Sequence, residues 1–419
     1  MPARRIRSHL TAYWSFIQNS KWIFLLLGDN SALEIKIRLH FDKCLSPSMY
    51  YIYQNYHFQG FKTIKGVTCK ITPFFSKTMA YLHNANVRGA NRIWNCLSKV
   101  NASRRSEKSD HVGRYSIDID SKRFKVAIDV SDGRSIRDKE ALEWCDIYFK
   151  SNKWGNLEYP AKVYPLCNGN SLLDFKKIDT IKRHRKTEKK VDLIYMSKIW
   201  SRTDCFVENI IEHQIRVFEV LADLGCTKFL RAIIPNIFIN RMTEYLKRLD
   251  VAGVEWTSGW GDINSQVFWR KLAEAKIVFQ RSGNHQCISW RMTDLLCMGA
   301  CIVMDNSPYP LWPVPLEAGK HFVDCKCGFG SEYSIPPKEQ YKRIRSAIEA
   351  LLSNEEDQRH YSSNCAEYFD LHITPQHVAK YILNVLINKA TANKISILGG
   401  HQHHLGSTAV WDVHESIKK

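Results

Sequence analysis

No stretch of this sequence approaches the roughly 20 consecutive apolar residues that cross a bilayer as a helix. The most apolar N-terminal piece, Trp22 to Leu27, is far too short. Arg4, Arg5 and Arg7 precede it, but no small-residue cleavage site follows, so residues 1–34 read as a basic extension and not as a signal peptide. A disulfide framework is lacking too. The thirteen cysteines are odd in number and scattered, whereas a secreted scaffold pairs them densely in a short chain. A reducing, cytoplasmic compartment is expected. Cys325-x-Cys327 has His321 and Asp324 beside it, but the second ligand pair of a structural zinc site is missing. No metal is expected there. The sequence has no internal repeat and no recognisable nucleic-acid motif, so nucleic acid is not an expected partner.

Acidic residues are outnumbered. Asp and Glu total 42 against 60 Lys and Arg, which leaves a net charge of +18. Such a surface attracts anions, among them nucleotides, acidic polymers and anionic lipid, without choosing between them. Apolar residues make up 44% and aromatic residues 12%, the composition of a packed globular protein. At 419 residues there is length for two domains.

The organising stretch runs from Lys276 to Asn306. Lys276–Gln280 is a short apolar run of strand length. Arg281, Ser282, Gly283, Asn284 and His285 are loop formers, with Gly283 free to take a positive φ. Ser289 is suited to cap a helix over 290–298, and Gly299 to stop it. Cys301–Met304 then reads as a second buried strand. A strand–helix–strand unit of this kind opens a crevice at its strand ends, where a helix N-terminus favours negative charge. Arg281 and Arg291 flank that place, and Asp294 lies one turn into the helix, within reach of a ribose. An ordinary buried βαβ unit would show the same pattern.

These residues resemble the donor-binding region of GT-B glycosyltransferases. In that family a helix carries an acidic residue five places before a Gly, and a strand beginning small-then-apolar follows. Asp294 and Gly299 hold those places, with Ala300-Cys301-Ile302-Val303 after them. The pattern of Ser289, Arg291, Asp294, Gly299 and Ala300 is similar to the exostosin-like and spore-maturation (CgeB-like) branches. Retaining members carry a second Glu eight places upstream, where this chain has Gln286, and Asp294 stands in place of Glu. The resemblance implies an α/β fold of two Rossmann-like parallel-sheet domains facing a cleft. It implies a nucleotide-diphosphate sugar as co-substrate with no separate cofactor, and a hydroxyl acceptor on a glycan, lipid or protein.

The rest of the chain fits this frame. Strands are expected at 35–41, 61–67, 125–130, 146–150 and 162–166, with helices at 46–58, 76–100 and 136–145; residues 101–113 read as a loop. The phrase around Asp129 and Asp132, followed by Asp146–Lys150, resembles the acceptor-side domain of the same branch. The resemblance makes Asp132 and Asp129 the candidates for the base that takes the acceptor proton. Both also suit ordinary turn chemistry. Asp118-x-Asp120 has the spacing of a metal-bound donor site but lies outside the donor half. Residues 175–190 are strongly basic and read as a linker, with contact to an anionic membrane or polymer as the functional alternative. Val191–Met196 opens a second sheet, and Lys198 and Arg202 in the loop after it are candidates for the donor phosphates. The expected division is a basic extension at 1–34, an acceptor-side domain at 35–174, a linker at 175–190, a nucleotide-sugar domain at 191–372, a crossing helix at 373–390 and a tail at 391–419. His401, His403 and His404 fall in that tail.

Two functions follow. The first is glycosyl transfer, independent of metal. The second is a degenerate scaffold of the same fold that binds nucleotide or an anionic polymer without turnover, a reading that Gln286 and Asp294 support.

Overall fold

A computed structural model of the protein describes residues 33–39, 56–57, 59–72, 111–119, 121–169, 175–199, 208–258, 265–283, 286–329 and 334–398. The helices expected at 46–58 and 76–100, nearly all of the basic extension, Arg202, Asn284, His285 and the histidine-bearing tail lie wholly or almost wholly outside those residues. Contacts group the chain into residues 1–380 and 381–419. Both sheets belong to the first group.

The first sheet contains β1 (Leu33–Leu39), β2 (Val67–Thr72), β3 (Val112–Ile119), β4 (Lys122–Asp129), β5 (Ile147–Lys150) and β6 (Val163–Pro165), in the order β2-β1-β3-β4-β5-β6. β3 is antiparallel to both of its neighbours, and the other pairs are parallel. Five strands therefore point one way and β3 the other. The reading of 101–113 as a loop missed the start of this hairpin. Another difference lies at 61–63, expected as strand, which belongs to a 3-10 turn at Gly60–Thr63, with β2 beginning only at Val67. Between β4 and β5 lies α1 (Lys139–Trp144). Its N-cap Asp138 accepts from Ala141 N at 2.7 Å and is gripped by the fully buried Arg114 guanidinium at 2.9 Å.

The basic segment is not an extended linker. Phe175–Arg183 forms α2, burying Ile178 and Ile181, and a 3-10 turn follows at His184–Lys186. Its charges are largely engaged. Lys182 and Arg185 pair with Asp370, Lys190 pairs with Glu274, and Lys189 donates to the Ala273 carbonyl.

The second sheet holds β7 (Val191–Lys198), β8 (Lys228–Ile234), β9 (Glu255–Ser258), β10 (Ala275–Gln280), β11 (Ile302–Met304) and β12 (Val323–Asp324). All are parallel, in the order β12-β11-β10-β7-β8-β9. Counted from β7 as the first strand, that is the doubly wound order 3-2-1-4-5-6. Helices α3 (Glu208–Ala222), α4 (Thr243–Val251), α5 (Ser265–Ala273), α6 (Arg291–Met298), α7 (Lys338–Leu352) and α8 (Glu355–Tyr368) accompany it. Ile211, Ile215, Phe218 and Leu221 form one apolar stripe of α3, and Tyr341, Ile344, Ile348 and Leu351 one of α7. Both stripes close on Leu193, Tyr195, Ile277 and Phe279 of the sheet. Each such fully buried side chain contributes roughly 1.5–3 kcal/mol. On the opposite face α6 packs against α2 and α8. α9 (Pro375–Leu398) follows, opening on a proline, and is longer than the helix expected there.

Candidate functional site

The strand order reverses direction between β7 and β10, which are paired neighbours. The connection from β7 leads to α3 on one face, and that from β10 leads to α6 on the other. In sheets of this order ligands bind beyond the carboxyl ends of such strands, which here end at Lys198 and Gln280. Lys198 is exposed there, and partial burial draws its ammonium below the usual lysine range. Arg281 follows Gln280 and is buried.

The loop from β10 to α6 is held by its own second sheet. Ser282 N donates to Asp305 Oδ1 at 2.7 Å, Gly283 N to Cys287 O at 3.0 Å, and Gln286 N to Gly283 O at 2.7 Å. Gly283 is needed for space and not for a positive φ: a Cβ there would lie 2.1 Å from Cys287 Sγ. The positive φ falls instead on Gln286, at 53°, whose amide donates to Phe329 O at 2.7 Å. Gln286 thus serves the loop.

At the start of α6 the cap position is Trp290, which makes no side-chain cap bond; Ser289 Oγ accepts from Arg291 N at a long 3.4 Å. The expected cap is displaced by one residue and is weak. Gly299 ends the helix as expected, at φ 65°. Arg291 ties α6 to β7, donating from Nη1 to the Met196 carbonyl, with its guanidinium 5.1 Å from the Phe268 ring. Burial lowers its pKa. Asp294 is buried and accepts from Trp269 Nε1 at 3.2 Å. Of the expected donor-side residues, Lys198 ends β7, Arg281, Ser282 and Gly283 follow β10, Ser289 and Arg291 stand at the start of α6, and Asp294 is engaged with an indole.

Sequence reading passed over Asp305 except as the end of a strand. Its Oδ1 accepts from Ser282 N and, at 2.8 Å, from Asn306 N. Its Oδ2 lies 3.4 Å from His213 Nε2, and His213 Nδ1 lies 2.7 Å from the Tyr341 hydroxyl. Burial lowers the His213 pKa, against the pull of Asp305. A neutral ring that donates from Nε2 and accepts at Nδ1 satisfies both partners.

In the first sheet Asp129 and Lys150 are both fully buried, 3.0 Å apart. Asp129 Oδ2 also accepts from the Tyr148 hydroxyl at 2.9 Å, and its Oδ1 from Ser131 N at 2.8 Å. Three donors therefore engage both oxygens of this carboxylate. Asp132 differs. Burial pushes its carboxyl above the usual range, opposed by a hydrogen bond from the Trp290 side chain and by Arg137 and Lys150. Its Oδ1 is buried with no hydrogen-bond partner. Ser151 Oγ and Asn168 Oδ1, beyond the ends of β5 and β6, are in the same state.

These strand ends meet the β10–α6 loop directly. Asn152 Oδ1 accepts from Ile288 N at 3.3 Å, and Asn168 Nδ2 donates to Ile288 O at 2.6 Å. Asn152 Nδ2 also donates to Ser131 O at 3.0 Å, and Thr293 Oγ1 to Asn168 O at 3.1 Å. Nearby, Leu311 N donates to Lys153 O at 2.9 Å, and Trp154 stacks on Tyr309 with centroids 4.7 Å apart. Neither asparagine had a local signal. Each does, however, lie just past a strand's carboxyl end, where cleft residues collect.

Among the described residues no group of three or more His, Cys, Asp or Glu is arranged to hold a metal. Cys325 and Cys327 are buried in the second core, and His321 Nδ1 accepts from Glu317 N. Asp118 pairs with Arg123 on the first sheet. No helix of the described residues is long and apolar enough to cross a membrane.

No protein-family model matches the chain, and no curated protein sequence matches it. Solved structures similar to it include HepE of Anabaena in complex with UDP, at 10% identity and a TM-score of 0.38, covering 60% of this chain and 66% of that one. A glycosyltransferase of Rickettsia africae has 10% identity and a TM-score of 0.37, covering 61% and 65%. MurG of Acinetobacter baumannii has 11% identity and a TM-score of 0.33, covering 63% and 67%. The chain thus spans about two thirds of the length of these chains.

Proposed function

We propose that this chain transfers a glycosyl group from a nucleotide-diphosphate sugar to a hydroxyl acceptor. The observation that carries the reading is the meeting of Asp132, with its bare oxygen, and the β10–α6 loop at the switch point of a doubly wound sheet. The donor diphosphate would lie against Lys198, Arg281 and the Ser282–Gly283 backbone, near Arg291 and the start of α6. Those groups offset the charge that grows as the sugar–phosphate bond breaks. Asp132 takes the acceptor proton as the acceptor oxygen bonds to the anomeric carbon, and the nucleoside diphosphate leaves. Attack by an acceptor that Asp132 activates inverts the anomeric centre. Asp132 Oδ1, Asn168 Oδ1 and Ser151 Oγ can all accept hydrogen bonds, which favours a hydroxyl-bearing acceptor, glycan or glycolipid, over a phosphate.

A second reading is a scaffold that binds without turnover. It is favoured by the engagement of Asp294 with Trp269, of Arg291 with Met196 and of Ser282 with Asp305. Peripheral contact with an anionic membrane draws on the basic segment only in part, since Lys182, Arg185 and Lys190 are held in ion pairs.

The test is a thermal-shift screen with nucleoside diphosphates and their sugars, starting from UDP, followed by assay of nucleotide release from the sugar that binds. Stabilisation with release supports transfer. Stabilisation with no release from any sugar, with glycan acceptors present, supports the scaffold. No stabilisation by any nucleotide removes the transfer reading and leaves of the scaffold only its polymer-binding form.

A further inference from the structure

The Ile288 peptide is gripped from both sides by the opposite sheet. Its N–H goes to Asn152 and its C=O to Asn168. Both asparagines are completely buried, and Ile288 is 1% exposed. The two amides face this peptide with an acceptor on one side and a donor on the other, as a neighbouring strand would. Their remaining bonds run to the two places that matter for the reaction. Asn152 holds the Ser131 carbonyl, next to Asp132, and the Asn168 backbone oxygen receives the Thr293 hydroxyl from α6.

We propose that Asn152 and Asn168 are positioning residues that fix the distance between Asp132 and the donor loop. The proposal rests on the transfer reading given above. The loop keeps its shape through bonds that the asparagines do not make: Ser282 to Asp305, Gly283 to Cys287 and Gln286 to Gly283. Donor binding therefore survives loss of the clamp. What is lost is the register of base against donor, and a misplacement of about 1 Å costs on the order of a hundredfold in rate.

The experiment compares wild type with Asn152→Ala, Asn168→Ala, Asn168→Asp and the double alanine variant. UDP affinity is measured by calorimetry, and UDP release from UDP-glucose gives kcat. Hydrogen exchange reads the Ile288 amide against those of Ser282 and Gly283. The expected result is a kcat lower by about ten- to a hundredfold in each single variant, with a UDP Kd within about threefold of wild type. The double variant should fall little below the worse single one, because both hold the backbone of one residue. The Ile288 amide should exchange faster, with Ser282 and Gly283 unchanged. Asn168→Asp keeps the size of the side chain and sets an oxygen against the Ile288 carbonyl, so it should be at least as slow as Asn168→Ala. Unchanged turnover overturns the proposal, and so does a parallel loss of kcat, Kd and thermal stability, which would mark the asparagines as merely structural. Wild-type protein that binds UDP but releases none from any UDP-sugar, with glycan acceptors present, overturns the transfer reading, and the exchange data then still report whether the clamp holds Ile288.

Discussion

The two sheets treat their carboxylates in opposite ways. In the second sheet, each carboxylate near the crevice is spent: Asp305 on two backbone amides and a histidine, Asp294 on an indole. In the first sheet Asp129 is likewise spent, on Lys150, Tyr148 and Ser131, yet Asp132, three residues on, keeps a bare oxygen at a raised pKa. A group held by several donors is rigid and fixed in charge. A desolvated group with a free lone pair can accept a proton. Under the transfer reading proposed above, the difference gives binding to the second sheet and proton transfer to the first.

The sharpest way to break this division is Asp132→Asn. Asparagine can still accept from Trp290 but cannot take a proton, so turnover should fall by roughly a hundred- to ten-thousandfold with nucleotide affinity retained. Initial rates and a calorimetric titration of the same preparation decide it; an equal loss in affinity would move Asp132 to the binding side.

Lys150→Met tests the spent carboxylate beside it. Removing one partner leaves Asp129 charged and buried, which should cost about 3–5 kcal/mol in denaturant unfolding. A variant as stable as wild type would mean that water reaches Asp129.

Asp294 probes the second sheet. Asp294→Ala removes the acceptor of Trp269 and should lower both stability and nucleotide affinity, by about 1.5–3 kcal/mol if the carboxylate also meets the ribose. Asp294→Asn keeps an acceptor for the indole. Affinity lost in the asparagine variant at unchanged stability would put the carboxylate on the nucleotide; affinity retained would leave it a packing residue.

The smallest effect concerns pH. Asp132 has a folded-state pKa above its unfolded value, so between those values the folded chain binds the extra proton. Stability is therefore lost as pH rises through that window, and the loss is absent below the unfolded pKa. Asp132→Asn removes the loss. Its melting temperature should exceed that of wild type at neutral pH, by about 2–4 °C per kcal/mol, and should converge with it near pH 3. A gap of the same size at both values would argue against a desolvated carboxyl. Metal has no place in either sheet's proposed role, so EDTA should leave nucleotide affinity unchanged; affinity that vanishes and returns with magnesium would contradict that.

Much of the second sheet was legible because its signals are local. The β10–α6–β11 unit announced itself through an apolar run, loop formers, the Gly299 stop and a second apolar run. The first sheet was less so. β3 follows a polar, turn-rich stretch that hid its start, and its partners are set by the sheet and not by its own pattern. For a candidate site, the sequence singled out Arg281, Ser282, Gly283, Arg291 and Asp132. It also led to Asp129, whose burial depends on Lys150 arriving from the next strand. It could not lead to Asn152 and Asn168. Their partner is a main-chain peptide 136 and 120 positions away, and no side-chain type marks such a contact.

The antiparallel strand in the first sheet has a kinetic consequence. β4 begins three residues after β3 ends, and the two pair over eight positions. A hairpin of that kind closes in about 1–10 μs, whereas each strand of the all-parallel sheet must first bring distant segments together. β3 and β4 are therefore expected to form early, carrying Asp129 with its carboxylate still hydrated. Lys150 arrives only when β5 docks, and the charge is then neutralised in the same step that removes its water. Pulse-labelled hydrogen exchange during refolding would read this order. Amides of β3 and β4 should be protected ahead of those in β7 and β10.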